Sequence, residues 1–191
     1  DKPIDAADKE LDAKVREEFR SGAKLIEESE WAGALAAFER SRALREHVVT
    51  TYNIGVCQRY LGRYTLARQT LKQSLEKSAD GTKDLPQMFR QQAEGYIAEI
   101  DKKLARVTVK VTPPEAVTSV DGRPLTIANG ELVAGVAAPG EAKSLNAPSF
   151  VAITDPGAHV ITFQLEGHDT IEVRKDLKPG LKGYRKMAQL A

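Results

Sequence analysis

Residues 51–74 read TYNIGVCQRYLGRYTLARQTLKQS, and residues 18–41, set beneath them, read EFRSGAKLIEESEWAGALAAFERS. At a constant offset of 33 residues Gly22 falls under Gly55, Trp31 under Tyr64, Ala34 under Ala67, Phe38 under Leu71 and Ser41 under Ser74. The register holds without a gap. A period of this length, with small and bulky residues in fixed order, is the mark of stacked helix-turn-helix units that cannot bury their apolar faces singly. Gly22 and Gly55 lack a Cβ and so permit close approach of a neighbouring helix, at a cost of roughly 0.5–1 kcal/mol relative to Ala. Ala34 and Ala67 provide the matching shallow spot. Trp31, Tyr64, Phe38 and Leu71 are the knobs that fill the remaining volume, each stabilising by roughly 1.5–3 kcal/mol when buried.

Working outward, apolar periodicity predicts five helices, over about 6–28, 31–46, 48–61, 64–79 and 84–105. Ser29-Glu30 and Gly62-Arg63 interrupt the period within each unit, and Ala79-Asp80-Gly81-Thr82-Lys83 is a turn cluster. Asp84 is placed to cap the fifth helix, with Pro86 in its first turn. Phe89, Ala93, Tyr96, Ile97, Ile100 and Leu104 give that helix one apolar face, and with no partner helix after it, it reads as the cap of the stack.

At Arg106 the period changes from 3.6 to 2, as Val107, Val109 and Val111 alternate with Thr108, Lys110 and Thr112. Further alternating runs lie near 117–120, 150–153, 159–165, 170–174 and 184–190. Asp121-Gly122, Asp155-Pro156-Gly157 and Lys178-Pro179-Gly180 separate them. Short strands with such turns indicate a small antiparallel β-sandwich or barrel. The expected organisation is therefore multidomain, α then β: a helical repeat over 1–105 and an all-β domain over 106–191.

The run Tyr52-Asn53-Ile54-Gly55, followed by Tyr64, Ala67 and Leu71, resembles a tetratricopeptide repeat, and the unit with Gly22, Trp31, Ala34 and Phe38 resembles it too. Ser41 and Ser74 stand where that family usually has Ala, and the family's closing Pro is missing from both units. The second half resembles a PEGA domain, a small β module named for a Pro-Glu-Gly-Ala motif. Its matching blocks are Pro113-Pro114-Glu115-Ala116, Val120-Asp121-Gly122-Arg123-Pro124-Leu125, Pro156-Gly157-Ala158-His159, Glu166-Gly167-His168 and Leu177-Lys178-Pro179-Gly180. The segment Thr126–Ser149 departs from it, being longer than the resemblance leads one to expect.

Together the resemblances imply a non-catalytic protein-interaction or scaffolding protein of the bacterial cell envelope, periplasmic or otherwise exported. In tetratricopeptide arrays the first helix of each unit lines the concave face. Carried over by position, this selects Arg16, Phe19, Ala23 and Ile26 from the first unit and Val49, Tyr52, Asn53, Val56, Arg59 and Tyr60 from the second as partner-binding residues. Phe19, Val49, Tyr52 and Val56 equally fit simple packing between helices, so Arg59 and Tyr60 are the stronger candidates. Of the Lys and Asn clamp found in some members, only Asn53 is in place. The expected partner is a protein or peptide; the alternative is a peptidoglycan- or glycan-associated module that uses the β half and its 126–149 insertion.

Composition is that of an ordinary globular chain, 41% hydrophobic and 29% charged. With 28 basic and 27 acidic side chains the net charge of +1 gives no reason to expect nucleic acid. No apolar run reaches membrane-spanning length, so membrane association is expected only through an anchor outside these residues. The chain opens on Asp1 without an initiating Met, which leaves a removed leader or anchor open. Cys57 is the single cysteine and reads as a buried small hydrophobe. His47, His159 and His168 have no metal-ligand spacing, no Gly-rich phosphate loop or nucleophile motif occurs, and neither enzyme activity nor a cofactor or metal is expected. The basic stretch Arg174, Lys175, Lys178, Lys182, Arg185 and Lys186, against Asp176 alone, reads as solvated, edge-protecting strand surface.

Overall fold

The structure, a computed structural model, describes residues 6–79 and 84–190. It contains five helices followed by β-strands: α1 (Ala6–Glu27), α2 (Trp31–Leu44), α3 (Val48–Tyr60), α4 (Tyr64–Ala79) and α5 (Gln87–Lys103). By contacts the chain forms two compact units, Asp1–Ala98 and Glu99–Ala191, which divide inside α5. Residues 80–83 of the expected turn cluster lie outside the described residues.

In the helical unit the 33-residue offset is visible atom by atom. A Cβ built on Gly22 would lie 2.8 Å from Cε1 and Cζ of Phe38, and one built on Gly55 would lie 2.8 Å from Cγ of Leu71. Each glycine therefore seats the bulky residue of its own hairpin, and Ala34, Ala67, Phe38 and Leu71 have no exposed surface. The turns repeat as well. Ser29 N–H donates to Ile26 O (2.9 Å) and Glu30 N–H to Leu25 O (2.8 Å); Gly62 N–H donates to Arg59 O (3.1 Å) and Arg63 N–H to Gln58 O (2.9 Å). This is a Schellman-type helix end in both hairpins. It needs a left-handed residue, supplied by Gly62 at φ 75° and, 33 residues earlier, by Ser29 at φ 60°.

Trp31, at the start of α2, stacks on Tyr60, at the end of α3, with centroids 3.7 Å apart and planes 4° from parallel. The two hairpins are thus tied at their turn ends. The equivalent serines differ in partner: buried Ser41 donates across to Val15 O on α1 (3.1 Å), whereas Ser74 donates to Leu71 O within its own helix (2.7 Å). The fifth helix begins at Gln87, later than expected, and Arg90 N–H closes its first turn on Pro86 O. Pro86 disfavours helical geometry at Leu85, so Asp84 stands too far upstream to cap.

The β unit contains β1 (Ala105–Thr112), β2 (Val117–Val120), β3 (Arg123–Pro124), β4 (Thr126–Ala128), β5 (Glu131–Val133), β6 (Ser149–Thr154), β7 (Gly157–Gln164), β8 (Ile171–Leu177) and β9 (Lys182–Gln189). They form a five-stranded sheet, β4-β5-β6-β1-β9, and a four-stranded sheet, β3-β2-β7-β8. Val107, Val109 and Val111 of β1 share one buried cluster with Val120 of β2, Ile161 and Phe163 of β7 and Leu177 of β8, so residues of both sheets build a single core.

The smaller sheet is antiparallel throughout, as expected, whereas the larger is mixed, with β1–β6 and β4–β5 antiparallel. In the larger one β1 pairs with β9, and β5 with β6, in parallel. A parallel pair needs a long crossover, and Ala134–Pro148 supplies one between β5 and β6. The 126–149 insertion is thereby accounted for: its first part is the β4–β5 hairpin, turned by Asn129 (φ 51°) and Gly130 (φ 75°), and the rest is the crossover. Asp121 (φ 52°) and Gly122 (φ 69°) turn the β2–β3 hairpin in the same mirror-type geometry.

Candidate functional site

Along α1, Val15 and Phe19 lie one turn apart, and Arg16 and Arg20 repeat that spacing beside them. Phe19 meets Phe38 edge-on below it, with centroids 5.4 Å apart at 67°. The α2–α3 junction closes the corner. Arg45 pairs with Asp12 of α1. His47 is the N-cap of α3, its Nδ1 accepting from Val49 N–H at 3.2 Å. Between these elements lies a cavity of about 300 Å³ whose walls are almost wholly apolar, with Val15, Phe19, Val49 and Thr50 among its lining. Arg16, Arg20, Arg45 and His47 also line it, and no acidic residue does. This corner is the candidate site.

Of the ten residues selected by position, Arg16, Phe19 and Val49 line the cavity. Arg16 is exposed and the other two are half-buried. Ala23 and Ile26 are half-buried, and Ile26 packs on a buried cluster of Ala34, Leu35, Phe38, Ile54 and Cys57 and is not among the cavity's lining. Tyr52 and Val56 are buried. The cause for Tyr52 is α5: Phe89 stacks on its ring at 4.9 Å and 14°, and its hydroxyl donates to Gln92 Oε1 at 2.7 Å. Burial, with Tyr96 and Tyr60 nearby, pushes the Tyr52 hydroxyl up to about 12.

Arg59 is half-buried, its guanidinium 4.4 Å above the Tyr96 ring of α5 and 5.3 Å from that of Tyr60. Asn53 is half-buried, and Tyr60 remains 51% exposed while stacked on Trp31. Of the selected residues, then, Arg16, Phe19 and Val49 line an open corner at α1–α3, while Tyr52 and Arg59 meet α5 at a second corner. Sequence reasoning missed Val15, Arg20, Arg45, His47 and Thr50 in the open corner. Arg20 was within reach, since four residues after Arg16 puts it on the same helical face.

The histidines hold local structure. His159 of β7 sets Nδ1 2.6 Å from Asp121 Oδ2 and Nε2 2.9 Å from Asp155 O, and Asp121 Oδ1 accepts from Val160 N–H at 2.8 Å. His168 sits in a turn with Nδ1 3.1 Å from Glu166 O. In the basic stretch Arg174 faces Glu172 at 3.9 Å and Lys178 faces Asp176 at 2.5 Å, while the side chains of Arg185 and Lys186 lie outside the described residues. Cys57 is fully buried, and burial pushes its thiol up to about 11. Among the described residues no three His, Cys, Asp or Glu side chains converge as a metal site, and no helix is long and apolar enough to cross a membrane.

Comparison of the chain with protein-family models, with curated proteins and with solved structures finds no match.

Proposed function

We propose that this chain is a protein-interaction scaffold that holds a protein or peptide partner against the inner face of its helical repeat, at the corner between α1 and α3. The observation that carries the reading is the apolar cavity of about 300 Å³ rimmed by cationic side chains, into which Arg16, Phe19 and Val49 converge. Apolar concavities with a few polar groups at the rim are where binding sites generally lie. The tetratricopeptide resemblance of the hairpins supports the choice of face. The β unit is read as the PEGA-like sandwich, with a supporting role, and an envelope location follows from the two resemblances together.

Site-specific photo-crosslinking with the full chain tests this reading. A photoreactive residue replacing Arg20 is expected to trap a discrete protein adduct in the cells the chain comes from, and one replacing exposed Glu39 on α2 is not. Equal adducts from both positions, or from neither, reject the reading. Pelleting of the chain with purified cell wall, undiminished by changes on α1, would favour the glycan-binding alternative.

A further inference from the structure

Tyr52 stands 33 residues after Phe19, so the α3–α5 corner is equivalent by position to the α1–α3 corner, with Val49 and Asn53 in place of Arg16 and Arg20. At the later corner the chain supplies its own plug: Phe89 lies flat on Tyr52 at 4.9 Å and Gln92 takes up the hydroxyl at 2.7 Å. At the earlier corner α3 contributes Val49 and Thr50 to the lining, both shorter than an aromatic ring, and about 300 Å³ is open. The second corner thus displays what fills a site of this shape: one aromatic side chain presented by a helix, with a polar neighbour.

The rim specifies the rest. Arg16 and Arg20 are exposed, and among the described residues neither side chain makes an ion pair or hydrogen bond. Arg45 and His47 line the same cavity, no carboxylate does, and Asp12 is paired with Arg45. Guanidinium forks match carboxylates bidentately, and a rim of one sign rejects a partner of the same sign. We infer that the α1–α3 corner receives a single large apolar side chain from an acidic segment of a partner protein, Phe being the model anchor and Asp or Glu flanking it. This rests on the scaffold reading and adds the chemistry of the partner.

The test is fluorescence anisotropy on the full chain with a labelled nonapeptide carrying Phe at its centre and Asp or Glu elsewhere. Two comparison peptides replace Phe with Ala, or every acid with Lys. The acidic Phe peptide is expected to bind saturably and more weakly as salt rises, the Ala version about tenfold or more weaker, and the Lys version not at all. Val49→Phe, which closes the corner as Phe89 closes the next one, is expected to weaken binding about tenfold or more without lowering the thermal midpoint. Arg16→Glu combined with Arg20→Glu gives the same loss through exposed positions that leave the core untouched. Failure of the acidic Phe peptide to bind, equal binding of the Lys version, or undiminished binding to both variants overturns the inference. Persistence of the photo-crosslinked partner alongside such a failure leaves the scaffold reading standing and removes only this one; loss of both removes both.

Discussion

Adding a methyl group to Gly22, Gly55 or Gly95 is expected to change stability with opposite signs. Each glycine lies inside a helix, where Ala is intrinsically favoured by roughly 0.8–1 kcal/mol. Gly95 on α5 is exposed and nothing lies within 4 Å of a Cβ built there, so Gly95→Ala should realise most of that gain. At Gly22 the new Cβ would sit 2.8 Å from the Phe38 ring, which has no exposed surface and nowhere to retreat. Inserting a methyl into such packing costs roughly 1–3 kcal/mol, so the net change is a loss of about 1 kcal/mol. Gly55→Ala should lose more, about 1–2 kcal/mol, because the obstruction includes the Leu71 backbone N at 3.2 Å as well as its Cγ at 2.8 Å. Urea denaturation of the full chain, followed by helical circular dichroism, reads all three. Combining Gly22→Ala with Phe38→Leu should be non-additive, the second change making room for the first. Stabilisation by all three single substitutions would refute the nesting of hairpins through glycine.

Other outcomes follow from single residues. Ser29→Gly should stabilise by about 0.5–1 kcal/mol, since relief of the left-handed cost outweighs the entropy of Gly, and Gly62→Ser should do the reverse; thermal melts check both. The Cys57 thiol, raised to about 11 by burial, stays protonated in the folded chain while the unfolded chain ionises, so its contribution is complete below about pH 9 and is lost as pH rises toward 11. The urea midpoint should fall across that interval, and Cys57→Ala should flatten the fall; a midpoint unaffected by the substitution would contradict it. Asp121→Ala should cost about 1–3 kcal/mol, because it deprives Val160 N–H and His159 Nδ1 of an acceptor and leaves Ala at φ 52°. Asp121→Asn keeps an acceptor and tolerates that backbone, so its loss in chemical denaturation should be smaller.

The helical repeat was legible because its signal is local and doubled: Gly22 and Gly55 stand in the same register to Phe38 and Leu71, and both glycines seat those residues. The alternating valines of β1 announced a strand with one buried face, and Asp121-Gly122 announced the first hairpin, for equally local reasons. Ser29 hid its equivalence to Gly62, since a serine gives no hint of positive φ until the turn is seen. The parallel pairing of β1 with β9 joins the two ends of the β unit, and no short-range pattern encodes a pairing at that separation. Asn129-Gly130 did carry a hairpin signal within the insertion, but its strands of three residues are too short to read as a period.

The candidate site was half legible. Repeat position picked out Arg16, Phe19 and Val49, which line the cavity, but it could not tell an open corner from a filled one. Which is which depends on where α5 lies, and that is decided by Phe89, Gln92 and Tyr96 meeting Tyr52 and Arg59 across a stretch no repeat describes. The distinction moves attention from Arg59 and Tyr60 to the cationic rim of α1.

Both functional readings require that the two hairpins be built alike, each folded around its own glycine. Proton–proton cross-relaxation in solution measures this directly. The account expects strong contacts from the Gly22 α-protons to the Phe38 ring and from the Gly55 α-protons to the Leu71 methyls, with the Gly22 resonances displaced by the ring current. Absence of either contact, or its presence in one hairpin alone, would contradict it.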